Sequence, residues 1–387
     1  MKIFVLGTGG TGSLLALLLE KQGHDVWCGD RDPGRAHRFL GKHSRIEVRE
    51  VNARNLWGIV KSGRGCQLLV NASPAVFNEI ILRAALRLGV HYLDLNSRLT
   101  RDPFKAEQLR YAMRFEDKGR VALINCGVAP GLTNLLVKRG AELLEKVDTV
   151  KLRLLETTES RDPVSTWSAD VAFDAAVSHP RFYRNSKFHL GKRFSEPERF
   201  RFPSVRGETR VYLAAQDEVA TLPLFIPMRN LDVKIGGKDI EQMRRWQRRG
   251  MLRKSGGHVA KRFPSTPTPR IIASLIRAGK LENARFALAV LVEGFKGEEQ
   301  LLLRWDARFP TLYQLRQRGL FSTPISYGTA HLASLFVKYF PRAEAGVIPP
   351  EALPSDLRRK ILKGMKGRGI HLTFKMKRLA PTDEEGE

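Results

Sequence analysis

The chain has 387 residues, 42% of them hydrophobic, which is long enough for about two domains with cores of their own and unlike a disordered composition. Lys and Arg number 66 against 40 Asp and Glu, a net charge of +26, and the three cysteines, Cys28, Cys66 and Cys126, form no CxxC pair. No apolar run approaches the ~20 residues of a membrane-spanning helix, and the cysteines spell out neither a disulfide framework nor a zinc site.

A basic balance attracts any anion, polyphosphate cofactors and dicarboxylates as well as RNA. The densest runs, RRWQRRGMLRK at 244–254 and KGMKGRG at 363–369, read as solvated helix faces or loop edges. No RNA-recognition signature with stacking aromatics accompanies them, so neither nucleic acid nor membrane is the expected partner. The first strand begins at Lys2 and leaves no room for a secretory leader. A cytoplasmic chain with reduced thiols and no metal is expected.

Lys2 to Leu6 is a short β-forming run leading into GTGGTG at 7–12 and then the apolar helix LLALLLE. Strand, glycine-rich turn and helix in this order are the dinucleotide-binding fingerprint, and Gly7, Thr8, Gly9, Gly10, Thr11 and Gly12 are the cofactor candidates. Gly7 permits the tight turn, Gly9 lets the backbone approach a pyrophosphate, and Gly12 lets the helix pack close to the strand. The helix N-terminus then offers N–H groups and a positive dipole end to the phosphates. The strand HDVWCGD ends in Asp30, 18 residues past Gly12, near the ~20 expected of the acid that holds the adenine ribose. Asp30 favours NAD and the adjacent Arg31 suits the 2′-phosphate of NADP, so NAD or NADP is expected. Asp32-Pro33 reads as an N-cap and first helical residue, which gives Arg31 a plain helix-start role as well.

The alternation continues with RIEVRE at 45–50, a helix at 53–61, CQLLVNA at 66–72 and a helix at 75–88 stopped by Gly89. HYLDLN at 91–96, a helix at 104–118 and VALINCG at 121–127 follow. Such alternation means a Rossmann doubly wound parallel sheet, with ligands beyond the carboxyl ends of its strands. The residues just past those ends are therefore candidates: Asn71, Ala72, Ser73 and Pro74 for the cofactor; then Asp94, Leu95 and Asn96; then Asn125 to Gly131.

LLVNASPAVFNEIILRAALRLGVHYLDLN followed by INCGVAPGLTNLLVKRGAE resembles the saccharopine dehydrogenase family, including its lysine 6-dehydrogenase branch. The likeness is clear over 1–145, weaker at 166–189 and 194–213, and returns in GVIPPEAL and MKGRGIHL. It implies a Rossmann domain built from both chain ends, a central α/β domain with a mixed sheet, and NAD- or NADP-dependent chemistry at an amino-acid C–N bond. It also implies two departures. Ala129 stands where saccharopine reductases carry an aspartate before the proline of GVAPG, and ETTES at 156–160 stands where the lysine branch is glycine-rich.

Oxidising a C–N bond requires a base for the amine proton. Asp94, at the end of the fifth parallel strand, is one candidate, with capping of the following turn through Asn96 and Ser97 as its structural alternative. Glu156 and Glu159, after the first strand of the second domain, are others, set against an exposed loop. Cys126 reads as a small packed residue. Tyr183 and Lys187 have the YxxxK spacing of short-chain dehydrogenases, but Asn185-Ser186 between them reads as a hairpin turn.

VDTVKLRLLE at 147–156 opens the second domain, an α/β unit with a mixed or antiparallel sheet. FALAVLVEG at 286–294 and EQLLLRWDARF at 299–309 suggest a long antiparallel hairpin able to carry a homodimer contact. FPSTPTPR at 263–270 reads as a link to the helix IIASLIRAG. The expected domains are 1–127, the Rossmann unit; 128–325, for substrate and oligomerisation; and 326–387, a return to the Rossmann unit that ends in the strand IHLTFKM and a frayed tail. The expected partner is a small molecule such as an amino acid or keto acid, acted on by hydride transfer at a C–N bond of an amino acid or polyamine-like substrate. Reduction of a C=O or C=C group, or dinucleotide sensing or nucleic-acid association without turnover, are the alternatives.

Overall fold

The computed structural model describes residues 1–41, 44–99, 101–161, 164, 176–203, 205–250, 266–341 and 344–379. The parts of the resembling stretch at 165–175, of the basic run at 251–254 and of the proline-rich link at 263–265, together with the tail from 380, lie outside the described residues.

β1 (Lys2–Leu6), α1 (Gly10–Lys21), β2 (Asp25–Asp30), α2 (Pro33–Leu40), β3 (Val48–Glu50), α3 (Leu56–Gly63), β4 (Leu68–Asn71), α4 (Asn78–Leu88), β5 (His91–Asp94), α5 (Ala112–Glu116) and β6 (Val121–Leu123) alternate as expected. Capping chemistry sets the helix ends. The Asp32 side chain accepts the Arg35 N–H at the start of α2, Asn55 accepts Gly58 N–H at the start of α3, and Gly89 ends α4 at φ 66°. The order β15-β6-β5-β4-β1-β2-β3, with β15 at Gly346–Ile348, is wholly parallel. Period-two alternation sends Ile3, Val5, Leu68, Val70 and Leu93 to one face and Phe4, Leu6, Leu69 and Tyr92 to the other, and both sets are buried. Strand order reverses between β1 and β4, and that switch point opens the crevice at the carboxyl ends.

α6 (Leu132–Ala141) leads into β7 (Lys146–Ser160), the central strand of a nine-stranded mixed sheet. The rest of the layer is β8 (Arg181–Arg184), β9 (Lys187–Leu190), β10 (Glu198–Phe200), β11 (Thr209–Leu213), α7 (Leu222–Phe225), β12 (Asn230–Gly236), α8 (Lys238–Arg248), α9 (Pro269–Arg277), β13 (Leu281–Lys296), β14 (Glu299–Arg308) and α10 (Leu312–Gln317). β7 pairs in parallel with β12 and antiparallel with β13, so the sheet is mixed. The β13–β14 hairpin turns at Gly297, φ 59°. α8 buries Ile240 and Met243 and turns most of its basic residues outward, so the described part of that charge run is a solvated helix face.

Three features differ from the sequence reading or sharpen it. The segment holding Glu156 and Glu159 is neither loop nor turn: β7 continues through Ser160, because β13 supplies partners opposite Glu156, Thr157, Thr158 and Glu159. Tyr183 to Lys187 is a hairpin between β8 and β9, with Asn185 and Ser186 at φ 50° and 60°, so no helical face brings Tyr183 and Lys187 together. The chain's return is divided. α11 (Pro324–Lys338) packs on α1, where Thr11 Oγ1 meets Ser326 Oγ at 3.3 Å, and β15 joins the parallel sheet. After α12 (Ser355–Gly364), β16 (His371–Arg378), the IHLTFKM strand, pairs with β14 at the edge of the mixed sheet instead of rejoining the Rossmann unit. The cross-strand pair Trp305–Phe374, ring centroids 4.7 Å apart, favours that edge.

Candidate active site

The glycine turn is shaped by close approach. Gly7, at φ 97°, donates its N–H to Gly29 O at 2.8 Å, and a Cβ there would lie 2.7 Å from Ser73 N. A Cβ on Gly12 would lie 1.9 Å from Gly7 O, so only glycine lets α1 begin so close to β1. Gly9 is different. A Cβ there would meet nothing within 4 Å, which leaves open space over the turn where a phosphate can approach the backbone. The first turn of α1 carries no acidic side chain to compete for its N–H groups. Gly10 is covered by Ser326 and Thr266, each with an atom 3.3 Å from where its Cβ would be.

At the end of β2 the Asp30 carboxylate is fixed by two backbone donors, Thr8 N–H at 2.8 Å and Asp32 N–H at 3.1 Å. It braces the glycine turn from below, while Thr8 is fully buried and Arg31 is exposed beside it. Asn71 is buried too. Its Oδ1 accepts both the backbone N–H and the hydroxyl of Ser73, and its Nδ2 donates to Asn78 Oδ1 at 2.8 Å. Its side chain therefore builds the turn, which leaves Ala72, Ser73 and Pro74 half-buried at the carboxyl edge.

Asp94 is 0% exposed. Its Oδ1 accepts Asn125 N–H at 2.8 Å and its Oδ2 accepts Gln108 Nε2 at 3.0 Å, tying the end of β5 to the loop after β6. Burial pushes its carboxyl up to about 7 against these hydrogen bonds. Asp94 thus has no exposed surface and both oxygens engaged, and its partners are Asn125 and Gln108, where the sequence reading had Asn96 and Ser97. Glu156 is 4% exposed within β7 and paired in register with Phe286, and Glu159 lies 3.5 Å from Arg285. Cys126 is buried, and burial drives its thiol well upward, so it is a packed residue.

The GVAPG loop is held from three elements. Ala129–Pro130 is cis, and a Cβ on Gly131 (φ 131°) would overlap Gly127 O. Thr133 Oγ1 donates to Glu218 Oε1 at 2.8 Å, and Asn134 Nδ2 donates to Glu351 Oε2 at 3.0 Å. Both carboxyls are buried, and burial pushes Glu218 up to about 7 and Glu351 upward.

Two side chains that sequence reasoning passed over stand on the second-domain side. Asp217, half-buried in the 3-10 turn Asp217–Ala220, accepts Ser97 N–H with its Oδ2 at 3.0 Å and so sits on the loop leaving β5. Burial pushes its carboxyl up to about 6, while the charge of Arg181 and the Ser97 N–H hold it down. Arg181, at the start of β8, is 8% exposed. No spacing signal marks either residue, because only tertiary packing brings them to the sheet edge. Among the described residues no three His, Cys, Asp or Glu side chains are grouped to hold a metal, and no helix is long and apolar enough to cross a membrane.

Comparison with known proteins agrees with this geometry. Residues 3–123 match the saccharopine dehydrogenase NADP binding domain. Carboxynorspermidine synthases of Vibrio alginolyticus and Vibrio cholerae are each 24% identical, over 263 and 270 residues. Each match covers 62% of this chain and 63% of the relative. A carboxyaminopropylagmatine dehydrogenase of Synechocystis sp. is 27% identical over 35% of this chain and 36% of its own. The saccharopine dehydrogenase (L-Glu forming) of Saccharomyces cerevisiae superposes with a TM-score of 0.70 over 98% of this chain and 100% of that one, at 13% identity. Residues 3–123 thus resemble the saccharopine dehydrogenase NADP binding domain, and the chain that carries them shares the fold of that solved saccharopine dehydrogenase.

Proposed function

We propose that this protein is an NAD- or NADP-dependent oxidoreductase that transfers hydride at a C–N bond of an amino acid or polyamine-like substrate. One observation carries the reading. Asp217, a titratable group of the second domain, rests on the loop at the carboxyl end of β5, the edge along which a dinucleotide held by Gly7 to Gly12 must extend. The relatives named for carboxylated polyamines support the substrate class.

The glycine turn suits the cofactor: open space at Gly9, enforced contacts at Gly7 and Gly12, and an unopposed helix N-terminus. Asp30 and Arg31 would meet the adenine ribose, and the backbone from Ala72 to Pro74 would border the nicotinamide end. When bound, the nicotinamide supplies the hydride acceptor or donor. In this reading Asp217 takes the amine proton as the C–N bond is oxidised and returns it in reduction. Asp94 and Asn71 hold the two strand-end turns that flank it, and Glu218 and Glu351 hold the third.

The same reading takes the protein as a cytoplasmic homodimer. Its three buried cysteines suit a reducing compartment, and edge strand β16 exposes Phe374 and Met376, which suit a contact between mixed sheets. Light scattering of wild type and Phe374→Glu checks the dimer. The activity is checked by running amines alone, carbonyls alone, and carbonyls with amines against both reduced and oxidised cofactors. Turnover that requires the amine supports C–N chemistry. Reduction of a carbonyl alone overturns it in favour of a carbonyl reductase, and cofactor binding without turnover of any pair overturns it in favour of a dinucleotide sensor.

A further inference from the structure

A buried carboxylate is stable when its oxygens are hydrogen-bonded, and otherwise it takes up a proton. Glu218 and Glu351 meet the first condition only by half. They are 0% and 1% exposed, and each spends one oxygen on the start of α6: Glu218 Oε1 accepts from Thr133 Oγ1 at 2.8 Å, and Glu351 Oε2 accepts from Asn134 Nδ2 at 3.0 Å. The other oxygens, Glu218 Oε2 and Glu351 Oε1, are buried without a hydrogen-bond partner. A neutral carboxyl loses little by an unpaired oxygen, whereas a carboxylate loses much.

Both carboxyls belong to one box. Asn134 touches Thr133 Oγ1 at 3.3 Å and donates to Thr221 Oγ1 at 3.2 Å, and the charge of Glu351 reaches Glu218. The walls come from three places in the chain. Glu351 lies in the 3-10 turn Pro350–Ala352, just after β15 leaves the parallel sheet. Thr133 and Asn134 open α6 behind the GVAPG loop, and Glu218 lies in the second-domain turn Asp217–Ala220. That last turn holds the chain after β5 by two bonds, Ser97 N–H to Asp217 and Ala106 N–H to Ala220 O at 3.3 Å. The box is therefore a joint between the second domain and the carboxyl edge of the parallel sheet. The titratable groups around it are Asp217 next to Glu218, Lys138 on α6 and Cys126 before the GVAPG loop. Arg358 at the start of α12 is taken by Glu142 and Leu353 O, and α7, Leu-Pro-Leu-Phe, carries no charge. Burial pushes Glu218 up to about 7, helped by the charges of Asp217 and Glu351, and pushes Glu351 upward as well.

We propose that Glu218 and Glu351 form a proton-operated latch: the protonated pair holds the Asp217–Ala220 turn against the parallel sheet, and loss of the protons leaves two carboxylates in one box and releases that turn, and Asp217 with it, from the chain after β5. The device sets how far the crevice at the carboxyl edge opens and needs neither cofactor nor substrate, so it stands apart from the oxidoreductase reading. A carboxyl held above its ordinary value of 4.5 contributes its full stability below that value, and the contribution is lost as pH rises through about 7. The latch is thus closed in acid and open above neutrality.

The test is hydrogen exchange on the full chain without ligand, read at Ala106, whose acceptor Ala220 O does not titrate, with β1 as the internal reference. Protection of Ala106, referred to the intrinsic rate at each pH, should fall on the order of 100-fold between about pH 5 and pH 7.5 while β1 stays protected, since each displaced pKa unit is tenfold. Glu218→Gln keeps an oxygen for the Thr133 hydroxyl but has no proton to lose, so it should hold Ala106 at its acid protection across the interval. If that variant does not fold, Glu351→Gln, which takes the second charge out of the box, should cut the fall by about tenfold. Equal protection of wild type at both pH values overturns the proposal. So does a fall that persists in Glu218→Gln, which would assign it to Asp94 or Asp217, or a loss of protection in that variant already in acid, which would make the carboxyl a plain structural acceptor. If replacing tetramethylammonium by sodium or potassium at constant ionic strength abolishes the fall in wild type, the box holds a metal cation and the proton latch is overturned.

Discussion

The carboxylate of Asp217 accepts the backbone N–H of Ser97 at 3.0 Å, a bond between residues 120 positions apart that joins the second domain to the carboxyl edge of the parallel sheet. Asparagine can keep this bond through its own Oδ1, so Asp217→Asn isolates the loss of a titratable oxygen. Turnover of an amine substrate should fall by about 100-fold, the usual contribution of a positioned proton acceptor, with cofactor affinity unchanged. Because Asp217 must be ionised to accept a proton and its carboxyl is pushed up to about 6, kcat/KM of wild type should decline as pH drops through about 6. A variant that turns over like wild type removes Asp217 from the chemistry.

Gly9 has open space over it, whereas Gly7 and Gly12 are enforced by contacts within the protein. Gly9→Val should therefore fold and lose cofactor affinity, while Gly12→Val should lose the fold itself. Thermal melts with and without NADPH distinguish the two. A cofactor in large excess over its Kd, about 100-fold, stabilises wild type by about 2.7 kcal/mol, and the Gly9→Val melt should show almost none of that rise. An undiminished rise would place the cofactor elsewhere.

Asp30 accepts N–H bonds from Thr8 and Asp32, so its removal acts on the turn as well as on the ribose. Asp30→Ala should weaken NADH and NADPH alike through the turn, and NADH further, since the negative charge opposing a 2′-phosphate also disappears. Arg31→Ala, at an exposed position, should weaken NADPH alone. Titration of both variants with both cofactors reads the split. NADH loss in Arg31→Ala would assign Arg31 to a different part of the nucleotide.

Six of the seven strands of the parallel sheet were legible because each announces itself locally, whereas β15 is three residues long and gains its place only by pairing with β6. Apolar runs of four to six residues are punctuated by glycine, and Gly7, Gly9 and Gly12 carry their chemistry in their spacing. The strand-end turns at Asn71 and Asp94 followed from topology alone. What the residues at those turns do was not legible. Asn71 and Asp94 sit at the correct edge, but their side chains face inward, a direction set by Asn78, Gln108 and Asn125 arriving from elsewhere in the chain. Glu156 looked like a loop residue because its strand is continued by pairing with β13, some 130 residues later. Asp217 gave no signal for the same reason: it lies in no motif, and only packing against the chain after β5 brings it to Ser97.

Asp94 supplies a test of pH-dependent stability. Its carboxyl is held near 7 in the folded protein by burial, above its ordinary value of 3.8. The folded state therefore binds this proton more tightly than the unfolded chain. Stability from this group is fully present below about pH 4 and is lost as pH rises through about 7, because the unfolded state carries fewer protons across that interval. Asp94→Asn has no such proton to lose. Its Oδ1 can still accept Asn125 N–H, and Gln108 Oε1, which has no hydrogen-bond partner, can accept from the new Nδ2 after an amide flip. Chemical denaturation at pH 5 and pH 8 should show wild type losing more stability than the variant across the interval, by at least the ~1.4 kcal/mol that one pKa unit represents. Turnover of the variant should stay within about threefold of wild type, since a brace without exposed surface transfers no proton to substrate. A loss of 100-fold in turnover with cofactor affinity and stability intact would instead return Asp94 to the reaction and displace Asp217 from it.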